Sequence, residues 1–152
     1  MKKLIERQHI LENTKVLRRY YQLGELLKAL EKRELTNEIL GFINQHIELL
    51  NSVADSEKQF AKIIKDKENV IINHLEKKIK VVPKNYYKKR WLAIGIGAFR
   101  LPVGVALGSA SGNMGLLGTG LPIGMGIGIA IGSNMDKKAQ IEGRQLQFEV
   151  KY

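Results

Sequence analysis

Three histidines, His9, His46 and His74, and carboxylates such as Glu31, Glu34 and Glu38 are the residues whose chemistry suits metal binding or proton transfer. The histidines stand far apart, without the short spacing or the cysteine partners of a zinc site. The carboxylates belong to charged, solvated helix faces. Fifteen glycines are present, but no Gly-Lys-Ser or Gly-Lys-Thr follows them, so they do not make a phosphate-binding loop. The chain has no cysteine, which excludes disulfides and thiolate-held metals and says little about compartment. The expectation is a protein without catalysis, metal or cofactor.

Two other stretches have physical work open to them. Lys77, Lys78, Lys80, Lys84, Lys88, Lys89 and Arg90 have no acid among them, and Tyr86, Tyr87 and Trp91 interleave with them. The cluster runs into residues 91–134, an apolar, glycine-rich segment whose one charged residue is Arg100. There Gly104, Gly108 and Gly112, then Gly120, Gly124, Gly128 and Gly132, recur every four residues. Each set lies on one helix face and strips it of side chains. An internal glycine costs a soluble helix roughly 0.5–1 kcal/mol relative to alanine, so such density needs a compensating role. Close backbone packing of transmembrane helices is one, because small residues let helices touch where lipid supplies no hydrophobic drive.

The segment divides into two spans. About 21 residues, 91–111, make roughly 31 Å of helix, which matches a hydrocarbon core, and 115–133 can return. Ser111-Gly112-Asn113-Met114-Gly115 reads as the turn between them. Lys137, Lys138 and Arg144 follow the second span, so both flanks are basic and both termini are expected in the cytoplasm. Lys84, Lys88, Lys89 and Arg90 suit anionic lipid headgroups, and Tyr86, Tyr87 and Trp91 suit the headgroup layer. Leu101-Pro102-Val103-Gly104 recurs as Leu121-Pro122-Ile123-Gly124, which suggests two helices meeting through equivalent faces. Pro102 either kinks a spanning helix, the preferred reading, or starts a short one. Arg100 falls near mid-depth, where a charge costs about 2.5 to more than 10 kcal/mol, and no acid in either span pairs with it. Lining a pore and snorkelling to the interface are its two readings.

Residues 120–139, Gly-Leu-Pro-Ile-Gly-Met-Gly-Ile-Gly-Ile-Ala-Ile-Gly-Ser-Asn-Met-Asp-Lys-Lys-Ala, resemble the bacterial glycine-zipper membrane proteins. The resemblance covers the chain from about Trp91 and implies a membrane hairpin that self-associates. Members of that group include pores and channels as well as structural and anchoring proteins.

The N-terminal part must be positioned by other means. Val16, Tyr20, Leu23, Leu27 and Leu30 form a heptad, coiled-coil-like seam on a first helix expected from about Lys3 to Arg33. Thr36 or Asn37 caps a second helix with Ile39, Phe42, Ile43, Ile47 and Leu50 on one face. Ser56 with Gln59 resembles a capping box opening a third, whose Phe60, Ile63, Ile64, Ile71, Leu75, Ile79 and Val82 keep helical spacing until Pro83 stops it. Ninety residues make a marginal core, so the stripes are expected to pack against further copies of the chain. The N-terminus is basic without a following apolar stretch, and no cleaved signal is expected.

The fold class is therefore all-α: amphipathic N-terminal helices followed by a glycine-zipper transmembrane hairpin. The expected parts are residues 1–82, a cytoplasmic helical oligomerisation or interaction domain; 83–90, a basic juxtamembrane linker; 91–134, the hairpin; and 135–152, a cytoplasmic tail. The leading functional expectation is a homo-oligomeric channel or membrane-permeabilising pore. Next is a membrane-anchored scaffold that binds a protein partner through its N-terminal helices. The net charge of +10 also permits nucleic-acid binding, which ranks third because the basic cluster abuts an apolar span.

Overall fold

The computed structural model of the chain describes residues 1–5, 14–53 and 57–151. They form helices α1 (Thr14–Glu31), α2 (Asn37–Ser52), α3 (Glu57–Ile79), α4 (Tyr86–Ser111) and α5 (Met114–Ile141), with short strands β1 (Val82–Lys84) and β2 (Gln145–Glu149). The fold is all-α, and the two strands pair with one another. The chain divides into two compact units, Met1–Val82 with Leu146–Tyr152, and Pro83–Gln145. The hairpin unit is thus an insertion in the sequence of the first.

In the first unit the apolar stripes meet each other. Val16, Leu23, Leu26, Leu27 and Leu30 are buried on α1, which packs on α3. The heptad seam is covered within one chain, where the sequence suggested other copies. Ile39, Ile43, Ile47 and Leu50 of α2 and Phe60, Ile64, Ile71, Ile72 and Leu75 of α3 complete the core. Phe42 lies at its edge, stacked on His74 with ring centroids 3.7 Å apart. The His46 ring lies 4.3 Å from Phe42, and its Nδ1 is 2.9 Å from the Phe42 carbonyl oxygen, a local contact within the helix.

Several boundaries depart from the sequence reading. Lys3 to Ile5 are not helical: side chains of α2 hold them, the Asn51 amide donating to the Lys3 carbonyl and accepting from the Ile5 N–H. The rest of the expected start of the first helix, and the Ser56 of the proposed capping box, lie outside the described residues. Thr36 takes the N-cap position of α2, but its side chain makes no capping bond. Helix α3 ends at Ile79, before Pro83 is reached, because Lys80 turns left-handed at φ 57°. Residues 83–90 are not a linker; they finish β1 and open α4. Nor is 135–152 a tail. Helix α5 runs on to Ile141, and Leu146, Phe148 and Val150 alternate into the buried set, as one face of a strand does.

A polar network lies inside this apolar packing. Glu68 of α3 is fully buried, and the Gln22 amide of α1 donates to both its oxygens at 2.8 and 2.9 Å. The oxygen of Gln22 in turn accepts from the Lys151 N–H at 2.9 Å, while Arg19 donates to the Lys151 carbonyl at 3.2 Å. The chain end is thereby fastened to α1 through the same amide that solvates the carboxylate. Burial pushes the Glu68 carboxyl above the usual carboxylate range, opposed by the Gln22 bond and the Arg19 charge.

A carboxyl with a raised folded-state pKa holds its proton more tightly in the folded chain. Its contribution to stability is therefore present below the unfolded-state pKa and lost as pH rises through the folded one. Denaturant titrations of the full chain in detergent, followed by helical signal across pH, should show this loss in the wild type. It should be absent in Glu68→Gln. Identical pH slopes for the two proteins would contradict the placement of Glu68.

Candidate membrane-spanning hairpin

The second unit is two long helices, α4 with 26 residues and α5 with 28, both long and apolar enough to cross a membrane. In each, only 17% of the most apolar stretch is buried, so neither is the enclosed core helix of its unit. Helix α4 is continuous from Tyr86 to Ser111 but widens into a π-helical turn over Gly95–Phe99. Pro102, three residues beyond, has no N–H for the carbonyl four residues back, and its ring crowds that carbonyl. The wide turn falls where this crowding would be felt. Pro102 thus sits inside one helix and does not start a short one. Pro122 differs, lying in the first α-helical turn of α5 after a 3-10 opening at Met114–Thr119, where its missing N–H leaves no gap.

Between the helices the chain turns through Gly112 at φ 67°, a conformation that favours glycine. The Asn113 N–H donates back to the Gly108 carbonyl at 3.0 Å and Gly112 N–H to Ser109, closing the helix end. The Asn113 side chain then accepts from Gly115 N–H at 2.9 Å, which starts α5. Gly112 therefore belongs to the turn and not to the packing face on which the sequence spacing placed it.

The other six predicted glycines, Gly104, Gly108, Gly120, Gly124, Gly128 and Gly132, are all buried where α4 meets α5. A Cβ added at Gly104 would stand 2.5 Å from the Leu117 carbonyl oxygen, and one at Gly124 2.5 Å from that of Gly95. One at Gly132 would stand 2.5 Å from the Lys88 Cα. Gly120 and Gly128 are tighter still, against the Arg100 and Trp91 carbonyl oxygens. Gly108 is looser, facing the Met114 sulfur at 3.3 Å. Gly95, which the four-residue spacing missed, is as close to Gly124 as any of these. The repeat units do not meet through equivalent faces: antiparallel register brings Gly124 to Gly95 and Gly128 to Trp91. Gly97, Gly118 and Gly126 face open space.

One carboxylate fixes the base of the hairpin. Asp136 of α5 is 7% exposed and accepts from the Tyr87 N–H at 3.0 Å and the Lys88 N–H at 2.9 Å. These are first-turn amides of α4, which lack partners within their own helix. The bond acts as an N-cap supplied from the neighbouring helix and places a negative charge at the positive end of the helix dipole. The Trp91 indole N–H donates to the Met135 sulfur at 3.0 Å, and the Arg90 guanidinium donates to the Tyr86 hydroxyl at 3.0 Å.

Of the residues assigned to the headgroup layer, Tyr87 is buried in this base. Lys84, Tyr86, Lys89 and Trp91 are half-buried, and Lys88 and Arg90 are exposed. With Lys137 and Lys138 exposed on α5, the base carries lysines and arginines from both helices, while the Gly112–Asn113 end has no charged residue. The Glu142 carboxylate beside Arg144 raises the pKa of that guanidinium further. Arg100 is exposed on α4, near the middle of the apolar surface.

Backbone contact this close makes the glycines unequal. Gly128→Ala should separate the helices and lower the thermal midpoint in detergent. Gly126→Ala should leave it unchanged or raise it, since alanine gains about 0.5–1 kcal/mol of helix propensity over glycine. Equal responses would contradict the seam. Asp136→Ala should cost about 0.5–2 kcal/mol, measured in the same melts, as the loss of an N-cap does.

No protein-family model, no characterised protein and no solved structure matches the chain, so what it does has to be read from its own residues and geometry.

Proposed function

We propose that the chain is an integral membrane protein whose hairpin crosses the bilayer twice and tethers the three-helix unit to the cytoplasmic side as an interaction module. The observation that carries this reading is the distribution of side chains on α4 and α5. Their mutual face is glycine and backbone, their outward surface is apolar and exposed, and their charges gather at the base with Arg100 the one exception. A bilayer is the solvent that such a surface fits.

The division of the chain supports an even number of spans. Residues on either side of the hairpin, up to Val82 and from Leu146, belong to one compact unit, which supports a reading in which both ends of the hairpin emerge on one side of a membrane. The basic base is the expected cytoplasmic end, where lysines and arginines accumulate and meet anionic lipid. The likeness of residues 120–139 to bacterial glycine-zipper proteins fits an inner-membrane location.

A channel or pore lined by Arg100 is the second reading, favoured by the unpaired charge on the apolar surface. It ranks lower because the glycines that would join copies into a ring are already packed against α4 within the hairpin. Partner binding through α1–α3 needs no ring.

Reconstitution in liposomes separates the readings. The anchor predicts a chain that resists alkaline carbonate extraction and leaves a trapped dye in place. Dye release by the wild type that disappears in the Gly108→Leu/Gly128→Leu variant would favour the pore. A chain that stays monodisperse in buffer without detergent would overturn the membrane assignment altogether.

A further inference from the structure

The turn end of the hairpin is suited to passing through lipid. Residues 101–135, from the one after Arg100 to the one before Asp136, contain no charged side chain. Nearest the turn, the polar groups bond within the chain. The Ser109 hydroxyl donates to the Val105 carbonyl at 2.7 Å, that of Ser111 to Leu107 at 2.6 Å and that of Thr119 to Leu116 at 2.6 Å. Across the turn, the N–H groups of Gly112, Asn113 and Leu116 donate to the carbonyls of Ser109, Gly108 and Asn113. The Gly115 N–H donates to the Asn113 side chain. Hydrocarbon offers polar groups no partner, so a turn that crosses it has to bring its hydrogen bonds with it.

The opposite end holds the charge. Lys88, Arg90, Lys137 and Lys138 stand exposed at the base, where anionic headgroups attract them and hold them at a surface. Residues before and after the hairpin belong to one compact unit. An entry led by either flank would carry that unit's charged helices through the bilayer. An entry led by the turn leaves both flanks where they started. Arg100 moves inward with α4 but stops roughly 14 Å beyond Trp91, so it reaches mid-depth without crossing. The glycine seam lies within the chain, which lets the two helices enter as a closed pair.

We infer that the hairpin inserts itself: its base docks on an anionic bilayer surface, and the uncharged turn then crosses from that side without translocation machinery, an inference that rests on the membrane reading above and adds the lipid class and the route of entry.

The test uses the full chain, made by cell-free synthesis from purified components without membranes and stopped before vesicles are added. The vesicles are phosphatidylcholine and phosphatidylglycerol in equal parts, or phosphatidylcholine alone. The native chain has no cysteine, so Gly118→Cys marks the turn end and Lys137→Cys the base. Gly118 faces open space, which leaves the seam undisturbed by a side chain there. In chains that float with the anionic vesicles after carbonate washing, Gly118→Cys should be shielded from a membrane-impermeant maleimide and Lys137→Cys should react. Gly118→Lys should lower the inserted fraction about tenfold or more, as a charge carried through lipid does, and Gly118→Leu should insert as the wild type. Both variants should keep the wild-type helical signal and melting midpoint in detergent, which separates slow entry from misfolding.

Equal insertion of Gly118→Lys and the wild type, or equal insertion into phosphatidylcholine alone, would overturn the inference. So would insertion of the wild type only into native bacterial membrane vesicles that carry their own insertion machinery, a result that leaves the membrane reading standing. A chain that floats with neither kind of vesicle would overturn both.

Discussion

The contact on which the second unit depends is backbone against backbone along the line from Gly132 to Gly104. Six glycines there, Gly95 among them, leave no room for a Cβ, so α4 and α5 approach as closely as polypeptide allows. In a bilayer, where no hydrophobic force presses two helices together, van der Waals contact over such a seam would take its place. The seam also sets the register. Asp136 bonds α4 amides at one end, Gly112 closes the turn at the other, and the π turn lies between. With the glycines turned inward, the isoleucines, leucines and valines have only the outside left to face.

Much of this was legible in the residues. The four-residue spacing located six of the buried glycines, and the Ser111–Gly115 stretch located the turn. Gly95 was not legible from spacing. It precedes Gly104 by nine residues, two and a half turns of a regular α-helix, and so belongs on the opposite face. The π turn, with more residues per turn, brings it back to the seam. Gly112 misled for the converse reason: it continues the four-residue count, yet its positive φ ends the helix. Glu68 reads as one acid in Lys65-Asp66-Lys67-Glu68, although it stands four residues after Ile64 and four before Ile72, on the apolar stripe. Leu146, Phe148 and Val150 alternate as a strand does, but a six-residue alternation at a chain end gives no sign of which core receives it.

The inserted arrangement ties the two units into one physical account. The first unit buries residues that are made only after the hairpin, and its Gln22 amide serves both a buried carboxylate and the chain end. Its core is therefore incomplete until the hairpin has been traversed. For a membrane protein this links completion of the three-helix unit to the return of α5, and it disfavours any topology in which the hairpin spans once.

The central claim is that the glycine seam closes one hairpin inside a bilayer and does not join separate copies. Ile94 and Gly126 are exposed and lie on α4 and α5 between the Gly95–Gly124 and Trp91–Gly128 contacts. Nitroxides at Ile94→Cys and Gly126→Cys in liposomes, measured by pulsed electron paramagnetic resonance, report the helix separation directly. The account predicts a short distance, consistent with axes about 8 Å apart plus the label lengths, that persists unchanged when the labelled chain is diluted with unlabelled chain. A short distance that vanishes on dilution would mean that the seam forms between copies, and would contradict the account.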